Sequence, residues 1–99
     1  MKALLCLLLL GLASAPPGWA RDIGHDEALA LRRAGEILPL EQITTRALEK
    51  HAGARLLEVE LEDEDGVLVY EVELLTPAGV VRELELDARS GKVLKDEVD

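Results

Sequence analysis

From Arg55 to Leu86, apolar residues recur at every second position, a spacing met by an extended strand with one buried and one exposed face. Leu57, Val59 and Leu61 alternate with Glu58, Glu60 and Glu62. Leu68, Tyr70, Val72 and Leu74 alternate with Val69, Glu71, Glu73 and Leu75, and Leu84 and Leu86 alternate with Glu83 and Glu85. Asp65-Gly66, Thr76-Pro77-Ala78-Gly79 and Arg89-Ser90-Gly91-Lys92 separate or follow these runs, and each is short enough for a hairpin. The pattern predicts a three-stranded antiparallel meander, with Val93 and Leu94 available for a short fourth strand. One sheet face must be covered and the other meets solvent.

The cover lies upstream. In DEALALRRAGEIL, Ala28, Leu31, Ala34 and Leu38 fall at helical spacing, with Asp26 as N-cap and Glu27 in the first turn. Pro39 breaks that helix and is suited to open the next. In LEQITTRALEKHA, Leu40, Ile43, Ala47 and Leu48 share one face, His51 lies near its edge, and Gly53 supplies a left-handed cap. Helices followed by a meander describe an α+β domain, with one or two N-terminal helices packed on a three- to four-stranded antiparallel sheet. The expected core sets Leu31, Leu38, Ile43, Ala47 and Leu48 against Leu57, Val59, Leu61, Tyr70, Val72, Leu74, Leu84 and Leu86.

The first twenty residues, MKALLCLLLLGLASAPPGWA, have the form of a cleaved secretory leader, with one early charge, an apolar run and small residues before the cut. Cleavage is expected between Ala20 and Arg21, because the alternative after Ala15 places Pro16 next to the scissile bond. The apolar run is too short to span a bilayer, and no second one follows, so no membrane insertion is expected after cleavage. Cys6 lacks the small preceding residue of a lipid-attachment site and leaves with the leader. The product is expected in the periplasm or outside the cell, without a disulfide. The expected organisation is a leader over 1–20, a lead and short helix over 21–39, and the domain proper over 40–97.

Eleven Lys and Arg against 20 Asp and Glu make the whole chain −9, and loss of Lys2 makes the remainder −10. Such a chain is repelled by nucleic-acid phosphates and anionic membranes. With Trp19 in the leader, Tyr70 is the single aromatic residue left, which excludes base-stacking platforms and aromatic cages.

Hydrolytic chemistry finds no purchase. Ser90 reads as a turn former, and His25, in a polar lead, and His51, at a helix end, form neither a triad with it nor a paired zinc spacing. The run from Glu60 to Gly66 lacks the ligand order of a calcium loop. Carboxylates alternating on an open face should be similarly hydrated, which argues against acid and base roles that need separated pKa values. No catalytic, cofactor-binding or metal-ligating residue is assigned, and an enzyme is not expected.

What remains is charge. Glu58 to Leu75 carries eight carboxylates and no Lys or Arg. Alternation places Glu58, Glu60, Glu62, Glu71, Glu73, Glu83 and Glu85 on one side of the sheet. A solvated face that opposes aggregation and edge pairing explains this. So does a surface for a basic partner: a peptidase, a sensor or receptor domain, or a cationic ligand. An open sheet edge offers a third mode, addition of an extended peptide.

The helix ending in HAGAR, then LLEVELEDEDG, VYEVELLTPAG and VRELELDARSGKVL, resembles the PepSY domain over about residues 40 to 95. Tyr70-Glu71-Val72 and Asp87 to Val93 carry most of the likeness, and the lead DEALALRRAGEILPLEQI is similar to that of small exported members. The resemblance implies a non-catalytic binding or regulatory module, since such domains occur in metallopeptidase propeptides and as small exported proteins proposed to inhibit or modulate peptidases. The competing expectation is a periplasmic ligand- or cation-binding accessory protein that reports to a sensor or membrane partner. The resemblance carries over no functional residue, because Tyr70, Gly79, Asp87 and Gly91 have structural explanations. It leaves the oligomeric state open.

Overall fold

A computed structural model describes residues 20–99. The expected leader, with Cys6 and Trp19, lies outside the described residues except for Ala20. In chain order the elements are β1 (Ala20–Asp22), α1 (His25–Arg33), α2 (Leu40–Lys50), β2 (Arg55–Glu64), β3 (Val67–Leu75), β4 (Val81–Asp87) and β5 (Val93–Val98). The strands form one antiparallel sheet in the order β1-β2-β3-β4-β5.

The α+β architecture follows the expectation, with five strands in place of three or four. β5 extends well past Val93 and Leu94, and β1 is an addition. Ala20, Arg21 and Asp22 pair with Glu64, Asp63 and Glu62, so the supposed polar lead is the sheet's first strand. Three residues are too few for alternation to be visible, and backbone pairing alone defines the element. His25 accordingly is the first residue of α1 and does not lie in a polar lead.

α1 starts two residues earlier than an Asp26 N-cap implies, with Gly24 as N-cap and Asp26 inside the acidic first turn. It ends at Arg33, well before the break expected at Pro39, because Gly35 turns left-handed at φ 73°. Ile37 then drops into the core at 4% exposure, and the Leu38 N–H donates to the Ala88 carbonyl at 2.8 Å. Pro39 opens α2 as its N-cap.

Both helices cover the same sheet face. Ile43 and Ala47 of α2 and Ala28 of α1 bury against Leu61, Tyr70, Val72, Leu74, Leu84 and Leu86, joined by Ile23, Ile37 and Ala88. Leu31, Leu38, Leu48 and Val59 are partly buried around this cluster. Leu57 is not a core residue. The β2–β3 register shifts between Leu56 and Glu58, and the bulge leaves Leu57 47% exposed. Leu40, at the open start of α2, is also partly exposed, at 39%.

Tyr70 is fully buried and pins the layers together. Its hydroxyl donates to the Leu38 carbonyl at 3.1 Å and accepts from Arg32 Nε at 3.1 Å. The Arg32 guanidinium also lies 5.9 Å from the ring centroid. The β2–β3 hairpin turns on Asp65 (φ 54°) and Gly66 (φ 90°), both left-handed as a two-residue type I′ turn requires.

Candidate partner-binding surface

The outer sheet face, opposite the helices, collects the glutamates that alternation assigned to it. Glu58, Glu73, Glu83 and Glu97 stand in register across β2, β3, β4 and β5. Glu60, Glu71, Glu85 and Lys95 form the neighbouring row. Glu62 faces Val69 on β3 and Asp22 on β1. Directly opposed side chains lie about 5 Å apart, so these rows are ladders of like charge.

Sequence reasoning missed the cation that relieves them. Lys95 Nζ reaches Glu97 at 3.5 Å, Glu83 at 3.6 Å and Glu85 at 3.8 Å. It enters from β5, outside the lysine-free stretch, and only strand register reveals its position. Arg21 lies on the other face, where it meets Glu27 and Asp63 at 3.6 and 3.8 Å.

The carboxylates are not similarly hydrated. Val69, although on the outer face between Glu62 and Asp87, is only 2% exposed. Partial burial beside it, with repulsion from Glu71, Glu64 and Asp22, pushes Glu62 up to about 7. Burial and then repulsion from Glu83, Glu60 and Glu85 push Glu71 up to about 6, against the pull of Lys95. Glu85 and Glu60 also rise, mainly through loss of water. Asp87 moves the other way because the Ser90 and Arg89 N–H groups donate to it at 2.9 and 2.8 Å.

At the β1 end of this face, carboxylate oxygens of Asp22, Glu60 and Glu62 all lie within 4.8 Å of one another. Asp22 joins the glutamates only because β1 pairs with β2. Beside them a groove of about 350 Å³ opens around the edge of β2, with Ala28, Leu40, Val59 and Leu61 among its apolar walls and Asp22 and Glu60 at its rim.

The remaining candidates disperse. His25 borders the groove, whereas His51 lies against Asp96, its Nε2 2.8 Å from Oδ2, and Ser90 sits in the β4–β5 turn. Arg82 Nη2 donates to the same Asp96 at 2.8 Å. Partial burial raises Asp96, but the Arg82 and His51 hydrogen bonds and charges outweigh it and hold the carboxyl below its ordinary range. Asp96 lies 45 positions from His51, and no spacing rule connects them. Among the described helices, none is long and apolar enough to cross a membrane.

Residues 37–97 match the family described as Peptidase propeptide and YPEB domain, PepSY. The uncharacterized protein YkoJ of Bacillus subtilis (strain 168) is 36% identical over 50 residues, which cover 50% of this chain and 29% of that protein. The chain therefore matches less than a third of that relative's length. No solved structure matches the chain.

Proposed function

The chain belongs to the PepSY family, and from that membership we propose that it is an exported, non-catalytic module that binds and modulates a peptidase through the outer face of its sheet. The observation that carries this reading is the imbalance of the face. Glutamates from β2, β3, β4 and β5 stand in two adjacent rows with Lys95 as their cation. Opposed like charges cost stability, and a basic partner surface would recover that cost. The family description, which names peptidase propeptides, points to the class of partner.

Glu58, Glu60, Glu62, Glu71, Glu73, Glu83 and Glu85 form the contact surface in this reading. In this reading residues 1–20 are the leader, cut between Ala20 and Arg21, and residues 40–97 carry the contact surface. Intact mass of the exported product tests the cut, and any start other than Arg21 refutes it.

The test of function is inhibition of exported zinc metallopeptidases from the same organism, at low and at physiological salt. A Glu60→Gln/Glu71→Gln/Glu73→Gln variant should lose most of the inhibition and most of its salt dependence. Equal inhibition by the variant removes the electrostatic face from the account. The competing reading, a cation-binding accessory protein, is favoured by the convergence of Asp22, Glu60 and Glu62. Titration with calcium, magnesium and spermine while following the melting temperature separates the two: a rise at micromolar ion supports the competitor.

A further inference from the structure

β2 is ten residues long, yet β1 covers only Glu62, Asp63 and Glu64 of its outer edge. The Ile23 N–H adds one more bond, to the Leu61 carbonyl at 2.9 Å. In an antiparallel strand both backbone groups of alternate residues point to the same side. The N–H and carbonyl of Val59, two residues before Leu61, therefore face the same edge, beyond the end of β1. The groove lies at this point, with Val59 and Leu61 on its helix side and Glu60 and Asp22 on the other.

We propose that the edge of β2 centred on Val59, from Glu58 to Glu60, accepts an extended peptide segment as an added strand in line with β1. An aliphatic side chain of that segment fills the groove, and the next residue, a lysine or arginine, lies against Asp22, Glu60 and Glu62. The alternation of a strand dictates this order. Successive side chains point to opposite faces, so a residue directed at Ala28 and Leu40 is followed by one directed at the carboxylates. The backbone provides the pairing and the groove provides the apolar contact. Charge complementarity selects a basic segment, because among the described residues none of Asp22, Glu60 and Glu62 has an ion-pair partner within 4.0 Å. Arg32 and His25 border the groove, with Arg32 Nε committed to the Tyr70 hydroxyl. The outer side of the rim therefore favours the basic residue. The inference rests on the basic-partner reading above and narrows it to one edge and one alternating motif.

The probe is an acetylated, amidated pentapeptide of alternating lysine and valine, titrated into the isotope-labelled protein and followed by NMR. The expected result is shifts at Val59, Glu60 and Leu61 and at least about tenfold slower exchange of the Val59 amide at saturation. Asp22→Asn, an exposed change that leaves the core untouched, should weaken binding severalfold, and Ala28→Met, which fills the groove, should weaken it about tenfold. If Ala28→Met fails to fold, a peptide with glycine in place of valine provides the same comparison. Shifts confined to Glu71, Glu73 and Glu85, with Val59 exchange unchanged, would overturn the edge site and leave the acidic-face reading intact. Equal binding of a peptide with glutamate in place of lysine would overturn both, as would no binding of the lysine peptide at low salt.

Discussion

His51 Nε2 lies 2.8 Å from Asp96 Oδ2 and 3.0 Å from Oδ1, joining the end of α2 to the last strand of the sheet. Arg82 completes the clamp, with Nη2 donating to Asp96 Oδ1 at 2.8 Å and to the Asp96 carbonyl at 3.2 Å. β5 is an edge strand with a bulge at Leu94 and contributes only Val93 to the margin of the core. The clamp therefore holds an otherwise weakly anchored strand. Asp96→Asn should cost about 1 kcal/mol, since these side chains are only partly screened from water. Amides of β5 should exchange faster than those of β3 and β4 in that variant, which hydrogen exchange resolves strand by strand. Uniform acceleration across the sheet would show that β5 is not a separate unit.

Tyr70 joins α1, the Leu38 carbonyl and the sheet through one hydroxyl. Tyr70→Ala should cost about 3 to 5 kcal/mol, as expected for loss of a fully buried ring. Tyr70→Phe keeps the ring and removes the group that serves both Leu38 and Arg32, for about 1 to 2 kcal/mol. Chemical denaturation of both variants checks the ordering. A Phe variant as damaged as the Ala variant would assign the stability to the hydrogen bonds and not to packing.

Leu57 tests the bulge. Its position in the period-2 run marks it for the core, but the shifted register leaves it 47% exposed. Leu57→Ala should change stability by less than about 0.5 kcal/mol, whereas Val72→Ala, at a position with 0% exposure, should cost about 2 kcal/mol or more. Paired melting curves decide between the two assignments.

These residues also mark how far the sequence could be read. Alternation identified Tyr70, Val72, Leu74, Leu84 and Leu86 as core because each lies in an unbroken strand where side-chain direction follows from position alone. The same rule placed the glutamates on the opposite face. It failed at Leu57 because one inserted residue reverses the direction of what precedes it. β1 was hidden by its length, and Lys95 and the His51–Asp96 contact by separation in the chain. Ile37 escaped because it lies in an irregular linker, where burial has no period.

Gly91 should not tolerate a side chain. Its φ is 77°, and an added Cβ would meet Arg46 Cδ and Nε at 2.8 Å and Leu38 Cδ1 at 3.0 Å. Gly91→Ala should cost about 1 to 3 kcal/mol from backbone strain, with displacement of Arg46 in addition. Gly66→Ala shares the left-handed backbone but has open space around it, so it should be the milder change. Equal losses in thermal melts would mean that backbone conformation alone accounts for the effect and that crowding by Arg46 adds nothing.

Protonation should stabilise this protein across the mildly acidic range. Partial burial and neighbouring carboxylates raise Glu62 to about 7 and Glu71 to about 6, above the 4.5 of a free side chain. Between 4.5 and those values the folded protein holds protons that the unfolded chain has released, so stability must fall as pH rises through the interval. The contribution of these two groups is fully present below pH 4.5 and lost above about pH 7. Asp96 and Asp87, held below their ordinary values, act oppositely, and their contributions disappear only at lower pH. The melting temperature should therefore pass through a maximum near pH 4, between the 3.8 of a free aspartate and the 4.5 of a free glutamate. Glu62→Gln and Glu71→Gln should each raise it at pH 8, by an amount consistent with about 0.5 kcal/mol per relieved cross-strand repulsion. Both should match the parent at pH 4, where the parent's own carboxyls are neutral. A gain that persists unchanged at pH 4 would trace to packing and dissociate the glutamate ladder from the pH dependence.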